Sequence, residues 1–225
     1  MALFKQWFIV LCLLSTTQIF SIKIVIDPGH GGRFEGCKSF SGNILEKDIA
    51  LQIAQEIKKI LYKKNITVVL TRTDDRDFVP ENTSQEEELA KDLEQRVKLI
   101  KKEKPDALIS IHLNSTTNKD IRGYELFVPF SVKYPEESYK LAAHIHHSLS
   151  QKTEKQWAGT IGNLNIRDRG IRAANFTLLR NHQFPAVLVE LDYITNQHVE
   201  QNFKSAEYRQ NIARIIADGI VAYFN

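Results

Sequence analysis

The sequence predicts an α/β domain, and three observations carry that expectation. Short runs dense in β-branched residues recur along the chain, and stretches with apolar residues at steps of three and four lie between them. No Pro/Ser linker, composition break or internal repeat divides the 225 residues. With 43% hydrophobic and 25% charged residues the chain can bury one sizeable core, so a single domain is expected.

Residues 22–26 (IKIVI) have the β-branched density of a buried strand, and Asp27-Pro28-Gly29 ends it abruptly. A glycine-rich loop, 29–42, follows. Ile49, Ile53, Ile57, Ile60 and Leu61 then form the stripe of a helix across 44–61. Residues 67–70 read as a second strand and 71–88 as a polar loop, with Glu86, Glu87 and Glu88 on a solvated face. Leu89, Leu93, Val97 and Ile100 mark a second helix, Pro105 punctuates, and 107–111 is a third strand. Further strands are expected at 124–128 and 186–189, with helices at 141–149 and 212–223.

Residues 1–21 place Lys5 before an apolar run, 7–14, followed by Ser15, Thr16, Thr17 and Ser21. This is the pattern of a secretory signal cut after Ser21, leaving 22–225 as the mature domain. The run falls short of the roughly 20 apolar residues a membrane span needs, so no stable membrane anchor is expected. Ile9, Val10 and Leu11 before Cys12 are not the small residues of a lipidation site. Cys37 is then the only cysteine of the mature chain, which excludes an internal disulfide. It has no patterned catalytic partner and reads as a bystander. A net charge of +3 is too small and too dispersed for phosphate-driven binding, so nucleic acid is not the expected partner.

The chemistry gathers at strand ends and helix starts. His30 follows the first strand, Glu46 opens the first helix, His112 ends the third strand, and Glu190 ends the strand at 186–189. In open α/β sheets ligands bind outside the carboxyl ends of the strands. Two imidazoles and a carboxylate would leave one position of a tetrahedral zinc ion for water, with Glu190 close enough to handle its proton. Each residue also has a plainer reading. Glu46 lies three residues after Asn43 and could complete a helix-capping pair, and His30 could cap a turn. His144, His146 and His147 read as surface or packing histidines of a helix, and His182 and His198 as isolated loop residues. No His-Glu-x-x-His, Gly-x-Ser-x-Gly or Gly-Lys-Ser/Thr phosphate loop is present. Ser41-Gly42-Asn43 and Lys152-Thr153 match fragments of penicillin-recognising serine enzymes, but no serine is followed three residues later by lysine.

An ordered set of stretches carries a family resemblance: IVIDPGHGG at 24–32, LEKD at 45–48, Thr71-Arg72, LEQRV at 93–97, SIHLNS at 110–115, Arg169-Gly170, and PAVLVELDYITN at 185–196. The chain resembles the zinc-dependent N-acetylmuramoyl-L-alanine amidases over nearly all of 22–225. The resemblance implies a mixed, mostly parallel sheet with helices on both faces. It implies His30, Glu46 and His112 as ligands of one zinc ion, Glu190 as the catalytic glutamate, and peptidoglycan as substrate. The bond cut would be the lactyl amide between muramic acid and L-alanine. A periplasmic location is expected, with the cell exterior as the alternative. Two departures stand out. The connection after Val128 is too short for the helical insertion that gates some members, so no activator protein is expected, and Asp192 stands where small residues are commoner. A zinc peptidase acting on stem peptides and a wall-binding protein without catalysis are the rival readings.

Overall fold

The strands are β1 (Lys23–Pro28), β2 (Thr67–Leu70), β3 (Ala107–Asn114), β4 (Tyr124–Pro129), β5 (Asp168–Ala174) and β6 (Ala186–Tyr193). The helices are α1 (Glu46–Tyr62), α2 (Glu88–Glu103), α3 (Pro135–Lys155), α4 (Gln197–Lys204) and α5 (Ala206–Phe224), with a 3-10 turn at Thr177–Leu179. These assignments come from a computed structural model that describes residues 22–130, 135–155, 167–180 and 182–225. The expected leader, 1–21, and Lys152-Thr153's side chains lie outside the described residues.

All six strands form one sheet in the order β2-β1-β3-β6-β4-β5. The pairs β1–β2, β1–β3, β3–β6 and β4–β5 are parallel, and only β4–β6 is antiparallel. The chain leaves β1 for β2 on one side and returns to β3 on the other, so the topology switches between β1 and β3. Crevices for ligands open at such a point, outside the carboxyl ends of the strands.

Alternation along each strand sends side chains to opposite faces. Ile24 and Ile26 of β1, Ile109 and Ile111 of β3, and Val187 and Val189 of β6 face α1, α3 and α5 in the main core. Ile53, Ile57 and Leu61 of α1 and Ile216 and Ile220 of α5 are fully buried against them. Each such side chain contributes about 1.5–3 kcal/mol relative to exposure. Val25, Leu108 and Leu188 point the other way and pack with Ile100 of α2 and with Leu178 and Leu179. Helices therefore cover both faces, as the sequence leads one to expect.

The structure moves several boundaries. β3 runs to Asn114 and β6 to Tyr193 because backbone pairing continues past the apolar runs, so His112 and Glu190 lie inside their strands. The loop after β2 is not simply solvated: Thr71 and Arg72 are buried, and Glu88 opens α2 and accepts from Arg33 Nη1 at 2.5 Å. β5 and α4 have no counterpart in the sequence reading. The connection from β4 to α3 spans residues 130–134, of which 131–134 lie outside the described residues. Among the described residues no helix is long and apolar enough to cross a membrane.

Candidate active site

The loop after β1 is held by two buried arginines. Arg72 donates to the carbonyls of Pro28 at 3.1 Å, Gly29 at 2.8 Å and Lys47 at 2.7 Å. Arg96 donates to the carbonyls of Pro28 at 3.1 Å and His30 at 2.6 Å. Arg96 also pairs with Asp27 at 3.1 Å and Asp92 at 2.7 Å. Thr71 and Ser110 donate to Asp27 at 2.5 and 2.9 Å. Burial opposes the charge on Asp27, yet Arg96, with Thr71, His112 and Ser110, outweighs it and holds the carboxyl below its ordinary range. So clamped, His30 keeps a left-handed backbone (φ 60°), a conformation that costs a non-glycine residue energy and persists where its surroundings over-determine it.

Glu46, the first residue of α1, turns into the protein instead of capping the helix. The N-cap position belongs to Leu45, which makes no side-chain capping bond. Glu46 Oε2 accepts from the backbone N–H of Cys37 at 2.8 Å, and Oε1 from that of Leu113 at 3.0 Å. Its Oε1 also lies 2.9 Å from His112 Nδ1 and 3.1 Å from His30 Nε2. Burial works against its charge, but the two imidazoles prevail and hold the carboxyl far below the usual range, so it is ionised. The two rings stand edge to face with centroids 5.0 Å apart.

Candidate donor atoms of His30, Glu46 and His112 all fall within 4.8 Å of one another, the only such group among the described residues. A single cation fits this set, since imidazole nitrogen and carboxylate oxygen are the donors zinc takes and three of them leave a position open. The surrounding backbone is shaped to the group. A Cβ on Gly29 would come within 2.3 Å of the His112 ring, and one on Gly36 within 2.5 Å of Glu46 Oε2.

Glu190 stands directly opposite His112 in the β3–β6 register and opposite Glu125 in the β4–β6 register. Its Oε2 is buried and has no hydrogen-bond partner. Burial, with the nearby charges of Glu46 and Glu125 and against the pull of His112, pushes its pKa up to about 7. A cavity of about 390 Å³ opens beside these residues, lined by His30, His112 and Glu190 together with Leu93, Phe176 and Leu188.

Other residues singled out in the sequence go elsewhere. Burial pushes the Cys37 thiol up to about 11, and it donates to Ser115 Oγ at 2.9 Å. His144 packs on Tyr223, His146 bonds Asp168 from β5 at 2.8 Å, and His147 is exposed. His182 is buried, bonded to the Leu178 carbonyl and stacked on Phe184. His198 lies in α4, not in a loop. Ser41 donates to buried Glu200. Asp192 is fully buried, and its Oδ1 accepts from the backbone N–H groups of Gly123 at 2.7 Å and Tyr193 at 2.8 Å, joining the start of β4 to β6. The buried set Asp27, Arg72, Asp92 and Arg96 was missed as part of the site. Its only sequence signal was the family stretches that contain three of the four.

The profile of the N-acetylmuramoyl-L-alanine amidase family matches residues 24–222. The chain belongs to that family. A germination-specific N-acetylmuramoyl-L-alanine amidase of Bacillus subtilis is 32% identical over 89% of this chain and 79% of its own length. The amidase similarity extends to the probable cell wall amidase LytH of Staphylococcus aureus, 32% identical over 90% of this chain, although the chain spans only 58% of that protein. Among solved structures, the amidase AmiC2 of Nostoc punctiforme matches with a TM-score of 0.74 and 32% identity over 91% of this chain and 97% of its own. The CwlD amidase of Clostridioides difficile, in complex with the GerS lipoprotein, matches with a TM-score of 0.80 and 26% identity over 90% and 98%.

Proposed function

We propose that this amidase is zinc-dependent and hydrolyses the lactyl amide that joins N-acetylmuramic acid to L-alanine in peptidoglycan, with His30, Glu46 and His112 holding the ion and Glu190 moving the proton. The observation that carries the reading is the convergence of three metal donors beside a carboxylate whose Oε2 is buried and unpartnered. Bound zinc supplies Lewis acidity and a water acidic enough to act as nucleophile near neutral pH.

Glu46 contributes an ionised carboxylate whose orientation is set by two backbone amides and needs no rearrangement. Glu190, with a pKa raised to about 7, can take a proton from the attacking water and pass it to the departing L-alanine nitrogen. The products are a glycan strand and a stem peptide with a free amino terminus. The 1–21 leader exports the chain to the periplasm or the cell exterior, and the five residues between β4 and α3 are too few for a gating helical insertion, so no activator is required.

The test is a digest of peptidoglycan by the purified 22–225 protein without any partner, read by mass spectrometry. Stem peptides beginning with free L-alanine are expected, and Glu190→Gln should lower the rate roughly 10²–10⁴-fold while zinc content and melting temperature stay unchanged. Trimmed stem peptides would identify a peptidase instead, and a Glu190→Gln protein of full specific activity would remove Glu190 from the reaction.

A further inference from the structure

Beyond Glu190, away from the metal donors, the same face of the sheet turns polar in a way the reaction does not use. Glu125 of β4 is registered with Glu190 and is nearly fully buried. Its Oε1 accepts from Asn114 Nδ2 at 2.7 Å and from the Tyr193 hydroxyl at 3.1 Å. Two arginines of β5 flank it loosely. Arg172 Nη1 lies 3.5 Å from Glu125 Oε2, and Arg169 Nε lies 4.0 Å from Oε1. Neither distance is that of a bidentate pair, and Arg169 Nε and Glu125 Oε2 are both buried without a hydrogen bond. The Arg169 guanidinium rests on the Tyr193 ring, 5.1 Å from its centroid.

Three features of this shelf point to a ligand. Both guanidiniums approach Glu125 without closing a bidentate pair, so their planar forks are not committed to that carboxylate. Arg169 is partly exposed but rests on the Tyr193 ring, so it is pre-oriented, whereas Arg172 keeps about half of its side chain in solvent and can close on a partner. β5 stands two strands from Glu190, roughly 10 Å away at ordinary strand spacing. An arginine side chain spans much of that gap.

We infer that Arg169 and Arg172 form a carboxylate subsite that reads the second residue of the stem peptide. This rests on the amidase reading above. In peptidoglycan that residue is D-glutamate linked through its γ-carboxyl, which leaves its α-carboxylate free unless the cell amidates it. The α-carboxylate sits about two residue steps from the scissile nitrogen, roughly 7 Å, within reach of the two side chains from β5. A free carboxylate gains charge-assisted bonds to the two guanidiniums, and the neutral amide of an amidated stem forms only weaker ones.

The experiment compares two muramyl tripeptides of identical sequence, one with the D-glutamate α-carboxylate free and one with it amidated, as substrates of the zinc-loaded protein. The carboxylate form should be cleaved with about tenfold higher kcat/KM, the difference residing in KM. Arg172→Gln should reduce that ratio to about twofold or less, and Arg172→Lys should keep part of it. A second arm measures calorimetric binding of the two free tripeptides to zinc-loaded Glu190→Gln protein, which reports on the subsite whichever bond the enzyme cuts. Tighter binding of the carboxylate form, lost in the Glu190→Gln, Arg172→Gln double variant, supports the subsite even if the muramyl amide is left intact and the amidase reading falls. Equal handling of both forms by the wild type, or a preference that survives Arg172→Gln in both arms, overturns it.

Discussion

On the face of the sheet covered by α1, α3 and α5 the three central strands present only apolar residues, from Ile24 and Ile26 through Ile109, Ile111 and Leu113 to Val187, Val189 and Leu191. On the opposite face the same strands begin apolar, with Val25, Leu108 and Leu188, and then change to Asp27, Ser110, His112 and Glu190 as they approach their carboxyl ends. One face is held by area removed from water, which is non-directional and tolerant of detail. The other is held by hydrogen bonds and charges with defined partners, where a missing partner leaves a buried group unsatisfied. The fold thus keeps its apolar core on one side and its chemistry on the other, and the two sides should fail in different ways.

Arg96 offers the largest test of that contrast, because it joins Asp27, Asp92 and the carbonyls of Pro28 and His30 in one buried arrangement. Arg96→Met leaves two buried carboxylates without their cation and should cost about 3–5 kcal/mol in urea unfolding. A loss below about 1 kcal/mol would mean that the polar face contributes as little to stability as an exposed ion pair.

A smaller effect is expected in acid. Asp27 has a folded pKa below its ordinary value, so its contribution is complete above about pH 4 and is lost as pH falls through the folded value. The wild type should therefore lose stability on acidification below pH 4, and Asp27→Asn, less stable at neutral pH, should show a flatter acid limb in the same unfolding series. Parallel acid limbs would sever Asp27 from the pH dependence.

The same division explains what the sequence made legible. Apolar runs at periods of two and three to four mark β1, β3, β6, α1 and α5, because their burial is written in residue type. His30, Glu46, His112 and Glu190 stood out as single polar residues at the ends of such runs. Their convergence followed from the placement of strand ends at one rim. β5 was invisible because an edge strand reading DRGIRAA, with no buried side chain, has no apolar alternation, and α4 is only eight residues long. The inward turn of Glu46 could not be separated from a capping role, since both place a glutamate at a helix start. It is the amides of Cys37 and Leu113, far apart in the chain, that decide between them. The burial of Arg72 and Arg96 has no local sign, because the four carbonyls and carboxylates that converge on each come mostly from distant parts of the chain.

Zinc content measured against His112 tests the account most directly. The purified 22–225 protein should carry one zinc per chain and lose peptidoglycan hydrolysis when a chelator strips the metal. His112→Ala should remain folded by circular dichroism while retaining little zinc and little activity. Full hydrolysis by metal-free protein, or a His112→Ala variant that keeps both its zinc and its rate, would contradict the assignment of His30, Glu46 and His112 to a single catalytic ion.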